Sequence, residues 1–140
     1  MIVIFAVDWK YYLIFDEVTL PGIAVMIVLQ LLVTPVSKWK FLLLGLVIGG
    51  LFFLLQFVVS KGRWIGGGDI RLGFLLGAIV GWPKILIAIF LAYFSGAILS
   101  LILVGLKKKD FKSQMPFGTF LAAATVVVIL WGDAIWRWYW

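Results

Sequence analysis

Residues 62–82 read GRWIGGGDIRLGFLLGAIVGW. Three consecutive glycines, then an acid and a base, lead into an uncharged run from Leu72 to Trp82. Small residues recur in fours from the acid: Asp69, Gly73, Gly77, Gly81. Residues four apart share a helix face, so these form one stripe. Small residues at that spacing let a second helix come close in lipid. Asp69 shares the stripe and therefore belongs to the packed face, turned from lipid. An ionisable residue on the interior face of a membrane bundle is a functional hypothesis by default.

The rest of the chain agrees with a bilayer setting. Its 140 residues are 65% hydrophobic and only 13% charged, and the mean hydropathy is +1.20. A soluble domain carries about a quarter charged residues, and a small one has too much surface to enclose this much apolar material. The expected solvent is lipid. With no cysteine there is no disulfide framework, no Cys-ligated zinc and no thiol nucleophile. With no histidine there is no imidazole base or ligand. No metal and no cofactor is expected. What remains for chemistry is six carboxylates: Asp8, Asp16, Glu17, Asp69, Asp110 and Asp133. The net charge of +6 does not point to nucleic acid, because the cations lie between apolar segments as in a membrane protein. The start, MIVIFAVDWK, has no basic n-region and meets an acid at position 8. It does not read as a signal peptide.

A helix needs roughly 20 apolar residues to cross a bilayer core. Met1 to Val7 is apolar but short, and reads as the end of a truncated first helix. Full runs follow at Leu20 to Val36, at Phe41 to Val59, and at Phe117 to Trp131. The run from Leu72 to Leu106 is too long for one span. Gly81-Trp82-Pro83 divides it, since proline suits a helix start and disfavours helix just before it. The expectation is an all-α, polytopic membrane bundle over residues 1–140, one domain of about five spans plus the stub.

Alternating the spans collects Lys10, Lys61, Arg63, Arg71, Lys107, Lys108, Lys109 and Lys112 on one side. Lys38, Lys40, Lys84 and Arg137 fall on the other. The positive-inside tendency assigns the richer side to the cytoplasm. Asp8 closes the stub on that side and Asp69 opens its span there, so the two acids should sit at similar depth.

Two carboxyl groups held close cannot both ionise easily; the pair shares a proton. One can then take a proton from water while the other polarises a carbonyl, as in aspartic proteases. Gly66, Gly67 and Gly68 would permit φ > 0 and a close backbone approach beside the acid.

These residues resemble a known family. Gly66-Gly67-Gly68-Asp69 matches the GxGD motif of intramembrane aspartyl proteases, and the wider context resembles the type IV prepilin leader peptidases and the archaeal preflagellin peptidases. Three blocks carry the resemblance in the family's order: the stretch from Val7 to Ile23 with Asp8, Asp16 and Leu20-Pro21; GGGDIRLGFLLGAIVGW; and MPFGTFLAAA, Met115 to Ala124. The resemblance implies that Asp8 and Asp69 are the catalytic pair, supported by Gly66, Gly67, Gly68 and Arg71. It implies removal of a short basic leader from a prepilin or pilin-like precursor, at the cytoplasmic face of the inner membrane. Phe15, Arg71 and Thr119 stand where the family commonly has Pro, Lys and Pro. Arg71 keeps the charge but not the geometry. Larger bacterial enzymes of the family carry a cytoplasmic region with paired Cys motifs associated with N-methylation. This chain has no Cys, so the expectation is peptidase chemistry without methyl transfer.

Other residues have weaker claims. Asp16 and Glu17 are candidates for contact with a basic leader, and Pro116, Phe117 and Gly118 for contact with substrate, beside the simpler readings of a loop and a helix start. Lys107 to Lys109 with Lys112 fit a solvated cytoplasmic loop or a headgroup contact. The tail WGDAIWRWYW reads as an interfacial aromatic belt, with Asp133 and Arg137 spaced to pair. The competing functional readings are an inactive or pilin-binding membrane subunit of the same fold, and a proton-coupled transporter using Asp69 alone.

Overall fold

The computed structural model describes residues 5, 6, 8, 10, 16–106 and 117–139. Among them Phe5, Ala6, Asp8 and Lys10 are helical. Five α-helices follow: α1 Asp16–Val33, α2 Trp39–Ser60, α3 Gly67–Val80, α4 Lys84–Gly105 and α5 Phe117–Tyr139, with a 3-10 turn at Val36–Lys38. The expected all-α membrane bundle is what forms. Val36–Ser60, Lys84–Leu103 and Phe117–Trp138 are long and apolar enough to cross a membrane, and Thr19–Val33 is a shorter apolar helix. At 1.5 Å per residue, α2 reaches about 33 Å, enough for a hydrocarbon core of about 30 Å.

The centre is α3. It has 14 residues, about 21 Å, and so falls short of the full span expected there. One side of it buries Leu72, Leu75, Leu76 and Ala78, with Phe53 of α2, Ile85 of α4 and Leu121 of α5 beside them. The outer faces carry exposed Leu32, Leu55, Phe90, Leu101 and Leu130. A bundle with apolar residues on both faces has lipid as its outer solvent.

The glycine stripe does what its spacing implies. A Cβ on Gly49 would collide with the carbonyl oxygen of Gly73, and one on Gly77 with the carbonyl oxygen of Gly45. The backbones of α2 and α3 touch there. Small residues of α4 lie against α5: Ala88 and Ala92 are fully buried, and a Cβ on Gly96 would rest 3.7 Å from the Phe120 ring. Polar groups add a tie on the other side. Gln30 Nε2 of α1 donates to the Ile79 carbonyl of α3 at 3.1 Å, and Thr34 Oγ1 donates to Gln30 Oε1 at 2.8 Å.

Gly81-Trp82-Pro83 ends α3 as expected. Gly81 has φ of 67°, a left-handed value that glycine adopts without penalty, and its N–H donates to the Gly77 carbonyl at 3.0 Å. Trp82 N–H donates to the Phe41 carbonyl at 2.9 Å, placing this turn beside the start of α2. The cations assigned to that end gather there. Lys84 Nζ lies 2.7 Å from Asp133 Oδ1, and Lys38 and Arg137 are within electrostatic range of the same acid. Arg137 Nε donates to the backbone carbonyl of Asp133 at 3.2 Å, so the carboxylate pairs with Lys84 where the spacing alone pointed to Arg137. The tail is helical through Tyr139, beyond the expected stop at Trp131. Lys107 to Lys109 and Lys112 lie outside the described residues.

Candidate active site

Asp69 is the third residue of α3 and closes the helix end on itself. Its Oδ2 accepts the N–H of Gly66 at 3.0 Å, and its own N–H donates to the Gly66 carbonyl at 3.2 Å. This reciprocal cap satisfies backbone groups a helix start leaves open, and the negative charge suits the N-terminal end of the helix dipole. It also explains why a helix begins at Gly67, among poor helix formers. The side chain is buried, 7% exposed.

Gly66, Gly67 and Gly68 do not use left-handed backbone, contrary to the sequence expectation. The positive-φ glycines among the described residues are Gly62 and Gly81, and Gly66 is extended with φ −81° and ψ 161°. What Gly66 and Gly67 leave is room. A Cβ on Gly67 would meet nothing within 4 Å, and one on Gly66 would meet only Asp69 Oδ2, at 3.8 Å.

Asp8 is 4% exposed and comes from the N-terminal segment. It lies within electrostatic range of Asp69. Its Oδ2 accepts two bonds from one residue of α5: the backbone N–H of Thr119 at 2.6 Å and the Thr119 hydroxyl at 3.0 Å. Thr119 is 2% exposed. Three elements therefore meet at the acids: the N-terminal segment, the start of α3 and the start of α5.

A polar pair stands beside them. Tyr93 Oη of α4 donates to Gln56 Oε1 of α2 at 2.6 Å, and Tyr93 is within electrostatic range of Asp69. The Tyr93 ring packs on Phe117 with centroids 4.8 Å apart and on Phe52 at 6.0 Å. Phe117 is half-buried and Gly118 buried, directly before Thr119 in the chain. Arg71 is half-buried one turn into α3. Asp16 and Glu17 are the first residues of α1, but their side chains, and Pro116, lie outside the described residues. Sequence reasoning noted Thr119 only as a departure and passed over Gln56 and Tyr93. The signal for Gln56 was present: it is the one amide in the run from Phe41 to Val59.

Comparison with known proteins fits this arrangement. The sequence pattern of the type IV leader peptidase family matches residues 1–101, which include Asp8, Gly66 to Asp69, Gln56 and Tyr93. The chain belongs to the type IV leader peptidase family. Among its relatives is the "Prepilin leader peptidase/N-methyltransferase" of Aeromonas salmonicida, 36% identical over 94 residues, covering 67% of this chain and 32% of that protein. The Pseudomonas aeruginosa protein of the same name is 39% identical over 88 residues, 63% of this chain and 30% of that protein. That of Pseudomonas putida is 32% identical over 137 residues, 92% of this chain and 46% of that protein. The chain spans about a third of the length of the first of these relatives. No solved structure matches.

Proposed function

We propose that this chain is a membrane-embedded aspartyl endopeptidase that removes the leader from a prepilin or pilin-like precursor. The observation that supports the reading is that Asp8 and Asp69, carboxyl groups from separate elements, are both buried and lie within electrostatic range of each other. Membership of the type IV leader peptidase family supports it.

The chemistry follows from two carboxyl groups holding one proton between them. The ionised member removes a proton from a water placed between the acids, and that water attacks the scissile carbonyl carbon. The protonated member donates to the carbonyl oxygen as negative charge builds there. Collapse of the tetrahedral intermediate breaks the C–N bond, and the carboxyl that took the water's proton passes it to the leaving amine. Gly66 and Gly67 leave the space through which an extended peptide reaches Asp69, and Asp16 and Glu17 draw a basic leader. The acids face the cytoplasm across an inner membrane, supported by the excess of Lys and Arg on that side. Methyl transfer is not assigned to this chain, because the paired Cys motifs associated with it have no counterpart in a sequence without Cys.

Reconstitution in vesicles with a pilin-like precursor tests the proposal. Mass spectrometry should find two products from one cut between the basic leader and the apolar helix. An intact precursor, with the enzyme folded and both proteins in one bilayer, would remove the peptidase reading and leave a pilin-binding role.

A further inference from the structure

We infer that Thr119 is a positioning residue for the Asp8 carboxylate, acting through its hydroxyl as well as its backbone N–H. The inference rests on the reading above, in which Asp8 is half of the catalytic pair.

Thr119 is the third residue of α5, which begins at Phe117. The first four N–H groups of a helix have no partner inside it. The Thr119 N–H spends its bond on Asp8 Oδ2 at 2.6 Å, and the hydroxyl adds a second bond to the same oxygen at 3.0 Å. Almost any residue would supply the N–H; only Thr or Ser at this place supplies both. Proline, common here in the family that the sequence resembles, would supply neither. One donor leaves a carboxylate free to turn about its Cβ–Cγ bond. Two donors on one oxygen restrict that rotation.

Both residues are nearly fully buried, where charge-assisted bonds are short, strong and little screened. Orientation matters because both carboxyls must address one water, and a 1 Å misplacement costs about 10²-fold in rate. The hydroxyl touches no reacting atom in this account; it acts through Asp8.

The test compares wild type, Thr119→Val and Thr119→Ser, purified and reconstituted, with kcat and KM for a pilin-like precursor and a melting temperature for each. Thr119→Val keeps the N–H and the shape but removes the hydroxyl. It should lower kcat about 10- to 100-fold and leave KM unchanged, since the bond serves the chemical step and not substrate binding. Thr119→Ser should recover most of the loss. Unchanged kcat in Thr119→Val, a loss confined to KM, or Thr119→Ser no better than Thr119→Val would each overturn the inference. Absence of cleavage by wild type would strike the peptidase reading instead. The contact is then judged by a double-mutant cycle of Asp8→Ala and Thr119→Val on melting, because alanine at position 8 has no acceptor: non-additive effects support it and additive effects overturn it.

Discussion

Gly77 lies directly beneath the carbonyl of Gly45. A Cβ there would strike that oxygen and also meet the Leu46 Cα at 2.6 Å. Ordinarily a Gly→Ala change in a helix gains about 1 kcal/mol. Here the backbone obstacle outweighs the gain, because a close-packed contact between two helix backbones cannot give. Gly77→Ala should destabilise the bundle by about 1–3 kcal/mol. Gly67→Ala, with open space around it, should be neutral or stabilising by under about 1 kcal/mol. Thermal unfolding in one detergent compares the two directly, and equal effects would contradict the packing described.

The Lys84–Asp133 ion pair joins α4 to α5, yet the side chains are 30% and 75% exposed. Exposed pairs contribute about 0–1 kcal/mol after solvent screening. Asp133→Asn should shift unfolding by no more than that, and the shift should shrink as salt is raised. A large, salt-independent loss would mean that the pair is better shielded than its exposure indicates.

Tyr93→Phe removes the bond to Gln56 and leaves the ring on Phe117 and Phe52. Polar bonds between membrane helices contribute about 0.6 kcal/mol on average. The variant should stay folded and lose stability on that scale. A loss several times larger would indicate that the pair anchors α4 to α2.

The orientation has its own test, helped by the absence of native cysteine. Single cysteines at Lys61 or Trp64, exposed between α2 and α3, should react with a membrane-impermeant maleimide only from the cytoplasmic side. A cysteine at Lys38 should react only from the other side. The reverse pattern would place the acids on the outer face.

Much of this fold was legible because hydropathy and small-residue spacing are local signals. The break at Gly81-Trp82-Pro83 and the inward stripe of α3 both follow from short windows of sequence. Other features depend on what the chain meets at a distance. The helix starts at Gly67, five residues before the apolar run at Leu72, because Asp69 caps it, and propensity argues against three glycines there. Gly66 was expected to bend the chain and instead leaves room in an extended one. Asp133 prefers Lys84 on another helix to Arg137 one turn away. Thr119 showed only as an unusual residue, since its partner Asp8 is brought to it by the folded bundle. The acids themselves were legible because charge is costly in an apolar chain and therefore conspicuous.

Asparagine at either acid separates fold from chemistry. An amide oxygen at position 69 can still accept the Gly66 N–H, and one at position 8 can still accept from Thr119, so both caps survive while the shared proton does not. The decisive measurement is cleavage of a pilin-like precursor by wild type, Asp8→Asn and Asp69→Asn, each confirmed folded by its melting temperature. Wild type should cleave, and each single variant should lose at least about 10³-fold, since in a triad-like unit one missing member removes nearly the whole effect. Full cleavage by either variant would contradict the two-carboxylate mechanism.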